Sequence, residues 1–412
     1  MVFFVSRRAR LVEQTSICAL RSGGVLGYTG AVKVLIITNS YPDNAESYRG
    51  IFIRKLGLEL ILQGLEVAVL TPRVLPESPL KEDDGGIRVY RFRYPSGGKP
   101  LGQSGAIPIF PMAVYLLSGL RKAVSVIRAE HPDVVHGNWI VPTGLLAALA
   151  GRLLRVPVVN SAHGMDVRIS ARFPVGLLFD LAVRLSDKVT VVSDEMKTRP
   201  CLKQAETIPM GVDELFFAVQ PALQENRIIS TRSLEPIYDL ETLIRAVPLV
   251  LERIPDARFT IIGGGSQEAV LKNLAADLGV TGSIDFIGRI ENTEIPGHMS
   301  RAKVYVSTSL ADGTSISLLE AMAAGLVPVV SDIDANRPWV THEKDGYVFK
   351  TGDAHELARC LIKGLSQEID LTLLALKRSN LKDTVSWPSI ALRYREVFSE
   401  THADQGCRIH RD

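Results

Sequence analysis

The sequence is short of the features that mark specialised protein classes. Only four cysteines occur in 412 residues, at positions 18, 201, 360 and 407. Their spacing fits neither a metal site nor a disulfide framework, which leaves a reducing compartment as the expected setting. Excess charge of one sign is missing too. With 47 Lys and Arg against 45 Asp and Glu, the net charge of +2 gives no basic footprint, so no nucleic-acid partner is expected. No uninterrupted apolar run approaches the roughly 18 residues of a membrane-spanning helix, so none is expected. The dinucleotide fingerprint G-x-G-x-x-G is absent. Residues 1–31 lack the clean apolar core and cleavage site of a signal peptide, and they read as a disordered leader or an over-extended gene start.

What remains is ordinary globular material, 46% hydrophobic and 22% charged, in a chain too long for one core. Two domains are expected, each built from alternating strands and helices. Val32 to Thr38 (VKVLIIT) reads as a fully buried parallel strand. After a polar loop, Gly50 opens a helix with Ile53, Leu56 and Leu60 on one face. Strand, loop, glycine and helix in this order form a turn suited to phosphate, although a lone glycine serves equally as backbone punctuation. Further strands are expected at 66–70, 87–94, 133–139, 157–166 and 188–192. The apolar stretch from Ile109 to Arg128, with a basic end, suits either a helix near a membrane surface or one packed on the core. The second is preferred, because three basic residues over that length are unremarkable. The strand of residues 133–139 carries His136, and the next runs into His163 and Asp166. Strand ends of open α/β sheets are where ligands bind.

The second half repeats the pattern, with strands expected at 227–231, 258–265, 283–288, 303–308 and 327–330. The boundaries drawn are a leader at 1–31, a first domain at 32–207 and a hinge at 208–224. A second domain follows at 225–385, then a helix at 386–400 packing back towards the first domain and a disordered tail at 401–412. The most informative stretch is KVYVSTSLADGTSISLLEAMAAGLVPVVSDIDANR, residues 303–337. A strand leads through a polar loop (Asp312, Gly313, Thr314, Ser315) into a helix that starts at Ile316 and stops at Gly325. Free backbone amides and the positive end of the helix dipole make such a turn a natural seat for an anion, phosphate above all. Asp312 and Glu320 flank it. A plain βα unit with a solvated Glu320 is the alternative.

An acidic residue, glycine and then Leu-Glu-Ala-Met-Ala-x-Gly resembles the E-x7-E signature of the retaining GT-B glycosyltransferases of group 1, family 4. The resemblance spans roughly residues 32–400. It implies two Rossmann-like α/β domains facing across a cleft, the donor held mainly by the second. It implies further that Gly313, Thr314, Ser315 and Ile316 cradle the donor diphosphate and that Glu320 binds the ribose. Asp312 stands where Glu is usual. Ile208 to Asp213 (IPMGVD) is similar to the family's interdomain stretch, with Met210 replacing Asn. Arg232 matches a diphosphate-binding arginine, but Tyr238 occupies the position of a partner lysine; a surface salt bridge of Arg232 with Glu235 is the plainer alternative. Gly50 matches the first-domain loop facing the diphosphate. Gly264 and Arg289 lie at strand exits on the nucleotide side. His163, in an H-G-x-D step, would reach the transferred sugar, with His136 and Asp166 on the acceptor side.

The implied activity is transfer of a sugar from a nucleotide-sugar to a saccharide or lipid-linked saccharide acceptor, with no cofactor and no metal. Asp332-Ile333-Asp334 forms a D-x-D, but its surroundings match the family's loop and offer no further ligand set. A non-catalytic sugar-nucleotide-binding subunit and a sugar-nucleotide epimerase are the rivals. The expected location is the cytoplasm, with peripheral association on the inner face of the membrane left open.

Overall fold

The computed structural model describes residues 32–44, 47, 49–98, 109–221, 226–366 and 370–409; the leader lies outside them. Eight strands form the first sheet: β1 (Lys33–Ile37), β2 (Glu66–Arg73), β3 (Lys81–Asp84), β4 (Ile87–Arg93), β5 (Val134–Asn138), β6 (Val158–Ala162), β7 (Lys188–Val191) and β8 (Glu206–Thr207). Their order is β3-β4-β2-β1-β5-β6-β7-β8, parallel throughout except for β3, which runs antiparallel to β4. The second sheet holds β9 (Arg227–Ser230), β10 (Arg258–Ile262), β11 (Ile284–Gly288), β12 (Val304–Ser307), β13 (Val327–Ser331) and β14 (Tyr347–Phe349). Its order is β11-β10-β9-β12-β13-β14, all parallel.

Why β1 reads as a solid apolar run is clear from its two faces. Val34 and Ile36 pack with the Ile51–Leu62 and Trp387–Ile409 helices. Leu35 and Ile37, on the alternate face, pack with the Ile109–Glu130 and Leu145–Leu154 helices. The second sheet repeats this. Ile228 joins the core under the Leu240–Leu251 and Ala354–Leu365 helices, and Ile229 meets Leu318 and Leu319 of the Ile316–Ala323 helix.

The chain crosses between the sheets twice, and the crossings touch. The Val212 amide donates to the Val385 carbonyl at 2.7 Å. Gly211 lies against the Trp387 indole so closely that a Cβ would sit 2.3 Å from the ring. The closing helix then runs Trp387–Ile409 against the first domain. The expected helix end at residue 400 is therefore corrected, as is the disorder expected over 401–409: these residues continue the helix, anchored by buried Thr401, whose hydroxyl donates to the Val397 carbonyl, while residues 410–412 of the expected tail lie outside the described residues. The edge strands β3, β8 and β14 were not anticipated, being two to four residues long and too short to show a period.

Candidate functional site

In each sheet the strand order reverses at one point, between β1 and β5 and between β9 and β12. Such switch points open a crevice at the carboxyl ends of parallel strands, because the connections on either side leave in opposite directions. The loops leaving β9 and β12 carry Arg232 and Asp312. Arg232 is buried. Its Nη2 donates to Asp312 Oδ2 at 2.5 Å, and its Nη1 donates to Ser317 Oγ at 2.7 Å and Ser315 Oγ at 3.2 Å. The guanidinium carbon lies 4.1 Å from the centre of the Tyr238 ring, a stacking contact that favours arginine. Nε has no hydrogen-bond partner. Glu235 is engaged elsewhere, accepting from the Ser266 amide and hydroxyl, so the surface salt bridge with Arg232 is not formed.

Ser315 caps the Ile316–Ala323 helix with backbone alone, because its hydroxyl accepts from Arg232. The first-turn amides thus keep their donors for something other than a side-chain cap. Asp312 Oδ1 accepts from the Gly313 amide at 2.8 Å. Glu320, farther along the same helix, is buried. Burial, above all, pushes its carboxyl up to about 8, with Asp213 adding to the rise and Lys55 and Arg232 opposing it. Asn292 Nδ2 stands 3.5 Å from Glu320 Oε1. Lys55, from the Ile51–Leu62 helix, forms an ion pair with Asp213 of the hinge stretch.

The first domain meets this loop directly. A Cβ on Gly313 would lie 3.3 Å from the His163 carbonyl oxygen, and Thr314 Oγ1 donates to the Val192 carbonyl at 3.1 Å. His163 is half-buried, with its ring beside Trp139 and Phe52 at 4.9 and 5.5 Å between centres. Its Nε2 lies 2.9 Å from Asn138 Oδ1. Burial lowers the imidazole to about 4, so it is neutral at ordinary pH and offers hydrogen bonds rather than charge.

Two models of known families match the chain, "Glycosyl transferases group 1" over residues 212–381 and "Glycosyl transferase 4-like domain" over residues 50–199. Together they take in both crevice walls. The chain is a group 1 glycosyltransferase of GT-B fold. An uncharacterized glycosyltransferase of Methanocaldococcus jannaschii is 26% identical over 76% of this chain and 84% of its own. The UDP-Gal:alpha-D-GlcNAc-diphosphoundecaprenol alpha-1,3-galactosyltransferase of Escherichia coli is 27% identical over 62% and 73%. Among solved structures, sucrose-phosphate synthase from Thermosynechococcus elongatus superposes with a TM-score of 0.69 at 20% identity, covering 90% of this chain and all (100%) of the other. Anabaena HepE in complex with UDP gives 0.69 at 17% identity, with the same coverage of 90% and 100%.

The other sequence-predicted positions of the glycosyltransferase divide sharply. Gly50 opens its helix with φ of 68°, and a Cβ there would sit 2.2 Å from the Ser40 carbonyl oxygen; only glycine fits the turn. The acceptor-side expectation for His136 and Asp166 is corrected. His136 is fully buried, packed on Tyr394 and Phe398 of the closing helix. Its Nε2 lies 2.7 Å from Ser161 Oγ and its Nδ1 3.4 Å from Asn138 Nδ2, so it props the asparagine that holds His163. Asp166, also buried, accepts from the amides of Ile140, His163 and Val167 at 2.8, 3.0 and 3.0 Å. It clasps two strand-end loops together.

Gly264 and exposed Arg289 face each other at two strand exits, a Cβ on the glycine standing 4.0 Å from Arg289 Cβ. The residue that sequence reasoning passed over is Gly263. Its φ is 146°, and a Cβ there would lie 2.3 Å from the Arg232 carbonyl oxygen. The Gly-Gly-Gly run was its visible signal. Asp332 and Asp334 both bind Arg337, at 2.8 and 2.5 Å. Among the described residues no group of three or more His, Cys, Asp or Glu side chains is placed to hold a metal ion.

Proposed function

We propose that this glycosyltransferase moves a sugar from a nucleotide-sugar to an acceptor hydroxyl with retention of configuration and without a metal ion. The observation that carries the reading is Arg232, fixed by Asp312, Ser315 and Ser317 at the amino end of the Ile316–Ala323 helix. A diphosphate seated there would meet the guanidinium and the amides of Thr314, Ser315 and Ile316, donors already aimed at the charge that develops as it leaves. Glu320 would accept from ribose hydroxyls, and Asp312 and His163 would hydrogen-bond the sugar.

Among the routes to retention, the state of the carboxylates disfavours a covalent intermediate. Asp312 is held by Arg232 and Asp166 by three amides, so neither stands ready as a covalent nucleophile. Front-face attack follows: the acceptor oxygen bonds to the anomeric carbon as its bond to the phosphate breaks, and the departing phosphate oxygen takes the acceptor proton. Metal independence is favoured because both D-x-D carboxylates are ion-paired with Arg337. The E. coli relative's acceptor is named as diphosphoundecaprenol-linked, and one from Corynebacterium glutamicum acts on a phosphatidylinositol mannoside. A saccharide or lipid-linked saccharide acceptor on the cytoplasmic side is proposed here.

A thermal-shift panel of UDP-, GDP- and ADP-sugars identifies the donor. Transfer in excess EDTA, with the product's anomeric configuration read by NMR, then tests the chemistry. Persistence of activity and a retained anomer are expected. An inverted product ends the front-face reading, and loss of activity restored by Mn²⁺ ends the metal-free one. Donor binding with no transfer to any acceptor or to water would make the protein a binding subunit.

A further inference from the structure

One face of the first domain is unlike the rest of the surface. Three helices lie side by side on it, Ile109–Glu130 next to Leu145–Leu154 next to Val175–Leu185. Of seventeen large hydrophobic side chains exposed among the described residues, eight fall between residues 110 and 181. Seven of them, all but Met165, lie on these three helices or just ahead of one, at helical spacing. On the first helix Phe110, Leu117, Arg121 and Arg128 share the outward stripe, while Tyr115, Ala123 and Ile127 point into the core. On the second, Leu149 and Leu153 are one turn apart, and on the third Phe173, just ahead of the helix, Leu177 and Leu181 continue the row. Leu117, Leu153 and Leu177 are 72%, 66% and 62% exposed. Isolated exposed leucines need no explanation, but three adjoining stripes do.

The charge on this face is mainly of one sign. The segments 109–130, 145–155 and 172–185 hold seven Lys and Arg against two acidic residues, a surplus of five in a chain whose net charge is only +2. Both acids have partners: Glu130 is buried against Tyr90 and Arg88, and Asp180 pairs with Arg199; of the basic residues Arg152 is paired with Asp187. Arg121 and Arg128 flank a hollow of about 530 Å³ that Leu117 and Val124 also line. The Phe110–Glu130 stretch is long and apolar enough to cross a membrane by length and composition. Its inner stripe, however, is built into the domain core, so it can lie on a bilayer and cannot leave the fold to span one.

We propose that this three-helix face docks on an anionic lipid surface, with the leucine and phenylalanine stripes entering the headgroup boundary and the arginines meeting lipid phosphates. Arginine matches phosphate geometry and leucine enters the acyl boundary, so one surface uses both features together. A second copy of the chain fits poorly. A two-fold contact would oppose this face, with its surplus of five basic residues, to itself, and the half-exposed Asp180, already paired with Arg199, is too little to answer it. The docking is independent of the chemistry assigned to the cleft, and the two readings fail separately.

The test is flotation of the full-length protein with vesicles of phosphatidylcholine alone or with about 30% phosphatidylglycerol, at about 0.05 and 0.5 M NaCl. Wild type is expected on the anionic vesicles, less at high salt. The triple variant Leu117→Glu, Leu153→Glu, Leu177→Glu changes only exposed positions and should lower partitioning at least about tenfold. Arg121→Gln with Arg128→Gln should lower it and flatten the salt response. Donor-nucleotide affinity, unchanged in all variants, confirms the fold. Absence of wild-type flotation, or flotation of the leucine variant at the wild-type level, overturns the proposal. So does a dimeric wild-type mass in light scattering that the leucine variant returns to monomer, which would assign the face to a second copy.

Discussion

Arg232 and Asp312 join the exits of β9 and β12 across the switch point of the second sheet, Nη2 to Oδ2 at 2.5 Å. The pair is nearly dry, with side-chain exposures of 8% and 17%. The pair alone does not account for the arginine's placement, since Ser315, Ser317 and the Tyr238 ring hold the same guanidinium. Arg232 therefore arrives in the cleft already oriented, and orientation in advance is what makes a charge effective against a leaving diphosphate.

Removing it should cost accordingly. Arg232→Ala is expected to slow single-turnover transfer by about 10²–10³ at saturating donor. Arg232→Lys should recover only part, because one ammonium cannot serve Asp312 and two serines from a planar fork. An Arg232→Ala protein with native circular dichroism and wild-type turnover would remove the diphosphate from this seat.

Tyr238 gives a second prediction, and its direction depends on the stacking. A lysine here would remove the ring under Arg232 and set a second cation against it. Tyr238→Phe keeps the ring and should be close to neutral. Tyr238→Lys should lower ligand-free stability by about 1–2 kcal/mol through the lost cation–π contact, measured by urea unfolding, with part of the loss regained when donor nucleotide is added. Equal stability of the two variants would mean that the ring is incidental.

How much of this was legible in the sequence follows the range of the forces involved. β1, β9 and β12 announced themselves because strands buried on both faces need unbroken apolar runs, and these central strands set the position of the switch points. Arg232, Asp312 and Glu320 were found because the loop-to-helix turn that places them is local. His136 and Asp166 were misread for the opposite reason. His136 sits near the end of β5 and Asp166 just beyond β6, where ligand-binding residues lie, but their burial is decided by Tyr394, Phe398 and the Ile140 amide, partners that periodicity cannot supply. The helix beyond residue 400 was missed because its amphipathic pattern fades where it leaves the core, although Thr401 and its neighbours remain helical. The membrane-surface reading of the Ile109–Glu130 helix was set aside on its three basic residues alone. Only the fold shows the two neighbouring helices that extend the same stripe.

Gly263 and Gly264 allow a test within one turn of chain. A Cβ at Gly263 would collide with the Arg232 carbonyl at 2.3 Å and would need φ of 146°, whereas at Gly264 the nearest atom shown is Arg289 Cβ at 4.0 Å. Gly263→Ala should lose more than about 1 kcal/mol of stability and weaken donor-nucleotide binding by displacing the Arg232 loop. Gly264→Ala should leave stability nearly unchanged. Denaturant unfolding and calorimetry on the pair decide it, and similar behaviour of both variants would show that the close approach can relax.

The last prediction concerns the proton on Glu320. Burial holds its carboxyl up at about 8 in the ligand-free protein, against 4.5 when solvated, so it is largely protonated at neutral pH. The folded value lies above the unfolded one. Its contribution to stability is therefore fully present below about pH 4.5 and is lost as pH rises through about 8. Glu320→Gln, which cannot ionise, should consequently be more stable than wild type at pH 9, by up to a few kcal/mol, and should show a flatter stability profile between pH 5 and 9. Binding reverses the preference. Ribose hydroxyls donating to the carboxylate favour its charged form, so the donor nucleotide should expel a proton, and its affinity should rise with pH up to about 8 and then level, by at most one decade per pH unit. Glu320→Gln should remove that slope and weaken binding at pH 9 by about 1.5–3 kcal/mol, the worth of a charge-assisted hydrogen bond. Calorimetry in two buffers of different ionisation enthalpy reads the released proton directly. A wild-type Kd that is flat from pH 6 to pH 9, or one unchanged by Glu320→Gln, would falsify the ribose contact even if the stability profile behaves as described.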